Sequence, residues 1–264
     1  MTVALAAERA ASLYGTPGRP PVLFVHGLRL GRSVWDAHAR ALAHDYRVMT
    51  LDLPGHGALA DVPFDTETVI ALLAGACDLL GEPPLLVGYS LGGYSAIAFA
   101  HRHPDRTAGL IAVDCTYDFD GWRGAWIAAL ADGAASLPRP LLVRVLRVTL
   151  RICAPRALVA EIERIPFDPG VIRACRRELH RLRRFSDLLR GYDRPLLFVN
   201  GARDLLFRLD ERRFLRANSH ARLHLIRGAD HNAPLTHAQE FVEIVRTFAE
   251  EVFTRGERTA PIGG

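Results

Sequence analysis

One serine of this chain is placed where its hydroxyl could act as a nucleophile. Ser90 stands in the motif Gly-Tyr-Ser-Leu-Gly, between the apolar run that ends at Val87 and a stretch of small and apolar residues. A nucleophilic serine at a sharp turn from strand to helix needs neighbours without side chains, and Gly88 and Gly92 supply them. The pattern predicts a nucleophile at Ser90.

A serine nucleophile needs a base that takes its proton and an acid that orients the base. Asp204 ends the segment RPLLFVNGARD, and His231 ends the segment ARLHLIRGADH. Ser, Asp, His is the chain order in which a G-x-S-x-G nucleophile meets its partners. We therefore predict that His231 exchanges the proton of Ser90 and that Asp204 holds the imidazole ring. Asp114, which follows the apolar run LIAV, is the alternative acid.

Acyl transfer also needs hydrogen-bond donors for the oxygen that becomes negative. The backbone N–H groups of Leu28, in FVHGLRLG, and of Leu91, directly after the serine, are the predicted donors. His26 is predicted to make structural hydrogen bonds. In DLPGHG, we interpret His56 as a loop residue and Asp52 as a brace for the turn.

The elements that must position these residues follow from six short apolar runs. They are PPVLFVHG, YRVMTLDLPGHG, PPLLVGYS, TAGLIAVDC, RPLLFVNGARD and ARLHLIRGADH. Such runs suit strands that are buried on both faces, and the segments between them are long enough for helices. The alternation predicts an α/β fold with a parallel sheet covered on both sides, and the first residues, VALAAERAASLYG, an antiparallel hairpin at its edge. Ser90, Asp204 and His231 would then meet at the carboxyl edge of the sheet.

The alternation stops in the middle of the chain, where no strand is evident. We predict a core of residues 1–115 and 191–255, a helical cap of residues 116–190, and a disordered tail of residues 256–264. In the cap, Trp122 and Trp126 stand four residues apart, so they could belong to the cap core or to a pocket wall. With Tyr89, beside the nucleophile, they are the predicted substrate contacts.

Charge and composition narrow the class of protein. The net charge is +4 and all basic residues are Arg, with 13 Arg against five acids between Arg139 and Arg190. This basic segment could be a solvated helix face, a clamp for an acidic substrate, or a membrane-surface helix, in that order of preference. No motif for nucleic acid is present, and no apolar run approaches the ~18 residues of a membrane span.

The N-terminal segment and the spacing of the cysteines lead to two further expectations, on location and on thiol state. The N-terminus has no basic start and no uninterrupted apolar stretch, so we expect no signal peptide and a cytoplasmic protein. The cysteines are far apart and lack metal-binding spacing, so we expect reduced thiols. They are Cys77, Cys115, Cys153 and Cys175.

Taken together, several motifs resemble the α/β-hydrolase superfamily, with its small serine esterases, lactonases and cofactor-free perhydrolases as the nearest members. They are VHGLRLGRSVWD, VMTLDLPGHG, VGYSLGGYSAIAFAHRHPDR, NGARD and GADH, and they span about Pro20 to Glu250. The resemblance implies an eight-stranded, mostly parallel sheet, a helical cap after the sixth strand, and neither a metal nor an organic cofactor. Ser90 separates the chain from epoxide hydrolases and haloalkane dehalogenases, which have Asp at that position. The cap matches no known pattern.

The predicted function is a serine hydrolase that cleaves an ester, thioester or lactone of a small-molecule substrate through an acyl-enzyme. An acidic substrate is favoured if cap arginines face the pocket. Two alternatives stay open. One is a non-hydrolytic biosynthetic enzyme on the same fold, such as a lyase, cyclase or acyltransferase. The other is a ligand receptor that uses the hydrolase pocket, because a fold alone does not fix a function.

Overall fold

Seven strands form one sheet in the computed structural model. The model describes residues 3–126 and 170–259, together with positions 129, 138, 140–141, 144, 148, 159–160 and 164–166. The strands are β1 (Ala11–Tyr14), β2 (Pro21–Val25), β3 (Arg47–Leu51), β4 (Leu85–Tyr89), β5 (Gly109–Val113), β6 (Leu196–Gly201) and β7 (Ala221–Ile226). Each of the six apolar runs of the sequence forms one of the strands β2 to β7.

The strand order across the sheet is β1-β3-β2-β4-β5-β6-β7. Only β1 is antiparallel, and it pairs with β3 from Ala11 opposite Leu51 to Tyr14 opposite Val48. All other neighbours are parallel. The predicted α/β architecture with a mostly parallel sheet is confirmed. Strand β4, which leads to Ser90, is the central strand and is buried along its whole length.

Helices cover both faces of the sheet. They are α1 (Val3–Ala10), α2 (Asp36–Leu42), α3 (Thr66–Leu80), α4 (Leu91–Arg102), α5 (Val171–Leu182), α6 (Phe185–Leu188), α7 (Glu211–Ala217), α8 (Ala233–Thr236) and α9 (Ala238–Thr259). Alternate strand residues enter opposite cores. Leu86 of β4 lies in the core with α1, α3 and α4, whereas Leu85 and Val87 lie in the core with α2 and α9.

The N-terminal edge differs from the prediction. The hairpin expected over VALAAERAASLYG is half right, because Ala11–Tyr14 is an antiparallel strand but Val3–Ala10 is a helix. Alanine favours helix, and this helix buries Ala7 and Ala10 against the core. The described sheet therefore has seven strands where eight were predicted, and the segment predicted as a cap begins after the fifth strand of this sheet.

The two ends of the predicted cap meet at one buried carboxylate. Asp118 accepts hydrogen bonds from the N–H (3.0 Å) and the hydroxyl (2.5 Å) of Ser186, and Arg213 of α7 lies 3.1 Å from it. Asp210 accepts from the N–H of Asp118 at 3.0 Å. A fully buried charge needs such partners. They join residues near both borders of the predicted cap to the segment that follows β6.

The predicted tail, the cysteines and the lack of a predicted membrane span can be compared with the described residues. Residues 256–259 of the predicted tail continue α9, since a formed helix extends at little cost, and residues 260–264 lie outside the described part. Cys77, Cys115 and Cys175 are buried free thiols, and Cys153 also lies outside it. Among the helices that the structure describes, none is both long enough and apolar enough to cross a membrane.

Candidate active site

Ser90 lies in a strained turn between β4 and α4. Its φ of 52° and ψ of −115° are a conformation that residues other than glycine seldom adopt. A side chain on Gly88 would collide with the carbonyl of Gly92, and one on Gly92 would collide with the carbonyls of Val25 and His26. The Ser90 N–H donates to the Val113 carbonyl at 2.8 Å, which ties the turn to β5. The two glycines thus allow the close packing that this turn requires.

The structure brings the three residues of the predicted triad together. His231 Nε2 lies 3.0 Å from Ser90 Oγ, and His231 Nδ1 lies 2.7 Å from Asp204 Oδ2. The Asp204 side chain is 4% exposed, whereas that of His231 is 32% exposed. The acid is therefore shielded from water, while the ring that would exchange protons is open to a substrate. Ser90, Asp204 and His231 follow β4, β6 and β7, at one edge of the sheet as predicted.

Phe207 completes the setting of the imidazole, and sequence reasoning missed it. Its ring stacks on His231 with centroids 4.2 Å apart and planes 23° from parallel. Its N–H donates to Asp204 Oδ1 at 3.0 Å, so one residue positions both the acid and the base. Its place three residues after Asp204 was the only signal in the sequence, and an apolar residue in a loop does not by itself indicate a stacking partner.

Tyr89 does not have the place predicted for a substrate contact. It is 3% exposed, and its hydroxyl donates to the carbonyl of His231 at 2.8 Å. Alternation along β4 directs Tyr89 into the core that holds Val87, beside Trp35. We correct the expectation accordingly, since Tyr89 anchors the backbone of the histidine loop.

The predicted oxyanion donors belong to two segments that adjoin Ser90, the loop of Leu28 and the first turn of α4. A Cβ atom on Gly27 would lie 3.3 Å from Ser90 Cβ, so the loop that carries Leu28 packs against the nucleophile. In this loop the N–H of Arg29 donates to His56 and that of Leu30 donates to Gly27. Within the described part of the chain, the Leu28 N–H has no acceptor. The Leu91 N–H begins α4, where helix geometry leaves the first N–H groups free.

Two other histidines at this edge of the sheet are structural. His26 accepts from the N–H of Leu53 at 3.0 Å, and His56 accepts from the N–H of Arg29 at 3.0 Å. Burial lowers the pKa of His26 to about 4, and burial together with the neighbouring His26 lowers that of His56 to about 3. Asp52 accepts from the N–H groups of Arg32 and Ala58, and therefore braces its turn as predicted.

The alternative acid, Asp114, lies beside the triad. One of its carboxylate oxygens, one of Asp204 and a ring nitrogen of His231 are within 4.8 Å of one another. Within the described residues no other group of three or more such side chains could hold a metal ion. Two of these three possible ligands, Asp204 and His231, already contact each other through Oδ2 and Nδ1.

The two predicted aromatic contacts of the cap are exposed. Trp122 is 74% exposed and Trp126 is 65% exposed, so neither packs as cap core in the described structure. Their contact with a substrate stays a prediction. The amphipathic segment PLLVRVLRVTLRI lies largely outside the described residues.

Comparison with known proteins agrees with this geometry. A model of the alpha/beta hydrolase family matches residues 22–244. A pimeloyl-[acyl-carrier protein] methyl ester esterase of Chromobacterium violaceum is 30% identical over 256 residues, which cover 89% of this chain and 95% of the relative.

Solved structures give the same picture of the fold. A thermophilic esterase from Thermogutta terrifontis has a TM-score of 0.75 and 25% identity, and the match covers 92% of this chain and 93% of that one. A structure from a study of carboxylesterases of Nitrososphaera gargenis has a TM-score of 0.78 and 16% identity, with coverage of 93% and 95%. The second likeness shows the fold alone.

Proposed function

This chain belongs to the alpha/beta hydrolase family, and we propose that it is a carboxylic ester hydrolase that works through an acyl-enzyme on Ser90. The pair of contacts made by His231 carries the proposal, with Ser90 Oγ at 3.0 Å and Asp204 Oδ2 at 2.7 Å. Both distances lie in the hydrogen-bond range that a general base and its orienting acid require. The esterase names of the relatives support the same class of reaction.

Acylation begins when Ser90 Oγ attacks the ester carbonyl and His231 Nε2 accepts the hydroxyl proton. Asp204 accepts a hydrogen bond from Nδ1–H, so it fixes the tautomer with the lone pair on Nε2 and stabilises the ring while it is charged. Phe207 covers one face of the ring and limits its rotation. His231 then delivers the proton to the departing alcohol.

The tetrahedral intermediate would place its oxyanion between the N–H groups of Leu28 and Leu91. Two donors held by backbone need no reorganisation as the charge develops, and one such donor is typically worth about 3 kcal/mol of transition-state stabilisation. The bonds of Arg29 and Leu30 fix the Leu28 loop, and α4 fixes Leu91. In the second half-reaction His231 deprotonates a water molecule, which attacks the acyl-enzyme and releases the acid.

We propose an acyl ester attached to an acidic carrier as the substrate class. Relatives with this reaction in their names support it, and the Chromobacterium protein covers nearly the whole chain. A cleft of about 700 Å³ between α6 and α7 offers charge complementary to such a carrier. Five arginines line the cleft against three acids, and they are Arg190, Arg208, Arg212, Arg213 and Arg216. Arg190, Arg208 and Arg213 form ion pairs with acids of this chain. Arg212 and Arg216 are exposed at the cleft and favour an anionic partner.

The test of the reaction is hydrolysis of p-nitrophenyl esters of increasing acyl length. We expect turnover by the wild type and a loss on the order of 10⁶-fold in kcat for Ser90→Ala, because the nucleophile is gone. Ser95→Ala is a matched control, since Ser95 lies on α4 and its hydroxyl donates to the Leu91 carbonyl at 2.9 Å, its one hydrogen bond within the described part of the chain. Equal activity of Ser90→Ala and wild type would refute the nucleophile. Folded wild type that is inert on every ester would favour a non-hydrolytic reaction or a receptor.

The test of the substrate class compares a methyl ester on acyl carrier protein with the methyl ester of the free acyl chain. We expect Arg212→Ala and Arg216→Ala, on the exposed side of α7, to raise KM about tenfold for the carrier-bound ester only, in a salt-dependent manner. Equal effects on both substrates, or no effect on either, would contradict the carrier-bound substrate but not the proposed ester hydrolysis.

A further inference from the structure

A second carboxyl group lies beside the triad, and the reaction described above does not use it. Asp114 follows β5 with a φ of 47°, and its side chain is completely buried. Its Oδ1 accepts the N–H of Gly201 at 2.7 Å, at the end of the strand that precedes Asp204. Its Oδ2 is buried and has no hydrogen-bond partner among the described residues.

Asp114 and Asp204 each have a carboxylate oxygen within 4.8 Å of the other, and two buried carboxylates at this distance cannot both hold a negative charge at low cost. Asp204 is the better place for the charge, because it accepts from His231 and from the N–H of Phe207. Among the described residues Asp114 accepts a hydrogen bond only from the Gly201 N–H, and its other oxygen is the natural place for a proton. The ionisable groups near it are Asp204, Asp230, Arg208, Tyr89, Cys115 and His231.

The balance of these groups favours the protonated form of Asp114. Burial, with Asp204 and Asp230, holds the pKa of Asp114 well above its ordinary value, and the Gly201 N–H and Arg208 oppose the shift without cancelling it. Tyr89 and Cys115 are neutral here, because burial raises the pKa of each. Asp114 therefore adds no negative charge beside the triad.

We propose that Asp114 is held as a neutral carboxylic acid beside Asp204 and takes no part in the wild-type reaction, and that it is a reserve acid able to orient His231 when Asp204 is lost. The role rests on the proposed serine hydrolase function. If Asp204 becomes Ala, Asp114 stays buried, which is the largest cause of its raised pKa, but it loses the repulsion of Asp204 and gains the His231 Nδ1–H as a possible hydrogen-bond donor. These two changes together favour release of its proton to solvent. Its carboxylate then lies within 4.8 Å of the imidazole nitrogen, a span that a small ring movement or one water molecule can close.

The protonation state has a direct test that does not depend on activity. The infrared spectrum of the folded wild type near pH 7 should contain the C=O stretch of a protonated, buried carboxylic acid. Asp114→Asn should remove that band and keep the acceptor for the Gly201 N–H. The band should also disappear in Asp204→Ala, where Asp114 ionises. A wild-type spectrum without the band, or one that Asp114→Asn leaves unchanged, would overturn the proposal.

The reserve role is tested by the rate at which a fluorophosphonate probe labels Ser90, measured beside ester hydrolysis. Asp114→Asn should stay within about threefold of wild type, because it replaces a neutral acid by a neutral amide. Asp204→Ala should lose about 10²-fold, and Asp204→Ala with Asp114→Asn about 10⁴-fold, the loss typical of a triad without its acid.

The outcomes separate this inference from the proposed function. Wild type that the probe does not label would refute the serine nucleophile itself. Wild type that is labelled, with equal rates for Asp204→Ala and the double variant, would refute only the reserve acid. A folded Asp114→Asn that loses more than about tenfold would show that Asp114 works ionised in the wild type, which also contradicts the proposal.

Discussion

Histidines occupy two neighbouring regions at the carboxyl edge of this sheet, and their surroundings differ. His231 contacts a carboxylate through one nitrogen and the Ser90 hydroxyl through the other, and a third of its side chain is exposed. His26 and His56 are completely buried, with ring centroids 5.1 Å apart, and each ring accepts a hydrogen bond from a backbone N–H. Burial lowers the pKa of both rings, and at His56 it outweighs the opposing effect of the neighbouring Asp52, so the two rings stay neutral and hold loops together.

The hydrogen-bond partner of each histidine determines whether it transfers protons or supports a loop. A carboxylate stabilises the imidazolium form, so a ring beside Asp204 can gain and lose a proton within one reaction cycle. A ring that accepts a backbone N–H in a dry environment would break that bond on protonation. His26 and His56 therefore serve the site indirectly, since His56 fixes Arg29 in the loop that carries Leu28.

Substitution of His231 should affect activity, whereas substitution in the buried pair should affect stability. His231→Gln should lower kcat on the order of 10⁶-fold and leave the unfolding temperature close to that of wild type, because the base is lost and the surface of the site is partly exposed. His56→Gln should lower stability and leave kcat of the folded enzyme within about tenfold. Ester kinetics and thermal unfolding of both variants check this, and a reversed pattern would contradict it.

The two buried histidines should make the free energy of unfolding depend on pH. Below a pH of about 6.5 the unfolded chain protonates both buried rings, whereas the folded protein, with pKa values of about 4 and 3, does not. The free energy of unfolding should therefore fall as the pH drops below 6.5, by about 2 kcal/mol per ring near pH 5. Urea unfolding near pH 7 and near pH 5 measures it. His56→Gln should lose about 2 kcal/mol less over that interval, and an equal loss would contradict the assignment.

Phe207 tests whether stacking matters to His231. Phe207→Ala should lower kcat/KM about tenfold, because the imidazole gains freedom when a ring contact of roughly 1 kcal/mol is lost. The N–H that donates to Asp204 is backbone and survives the change. Phe207→Tyr keeps the stacked face and should stay near wild type. If both variants behave alike in ester hydrolysis, stacking is not what positions the ring.

The smallest expected effect concerns the anchor of the histidine loop. Tyr89→Phe removes the hydroxyl that donates to the His231 carbonyl and should cost about 1 kcal/mol of stability with a few-fold loss in kcat. Tyr94→Phe is its match, because that hydroxyl also donates to a carbonyl, of Tyr117, at 3.0 Å. The Tyr94 variant should lose similar stability and keep kcat. Equal kcat for the two variants would show that the Tyr89 bond does not tune His231.

Much of the fold and the centre of the site could be predicted from local patterns. Each of the six apolar runs predicts one strand, and the glycines around Ser90 predict the strained turn, because both signals depend on nearby residues. Strands β2 to β6 are buried as expected, whereas the edge strand β7 is largely exposed. The helix Val3–Ala10 was mistaken for a strand because its small alanines fit either pattern until they pack on α3. Tyr89 was misassigned because the face of β4 that enters each core depends on the whole sheet.

By itself the sequence determined the order of the strands along the chain and the types of the residues at their ends, and from these the triad could be named. Tertiary structure alone decided their neighbours. It stacked Phe207 on His231, it placed the Asp114 carboxyl within 4.8 Å of Asp204, and it buried His26 with His56. The physical reason is that charge, burial and stacking depend on distances between segments far apart in the chain, and the packing of the sheet sets those distances.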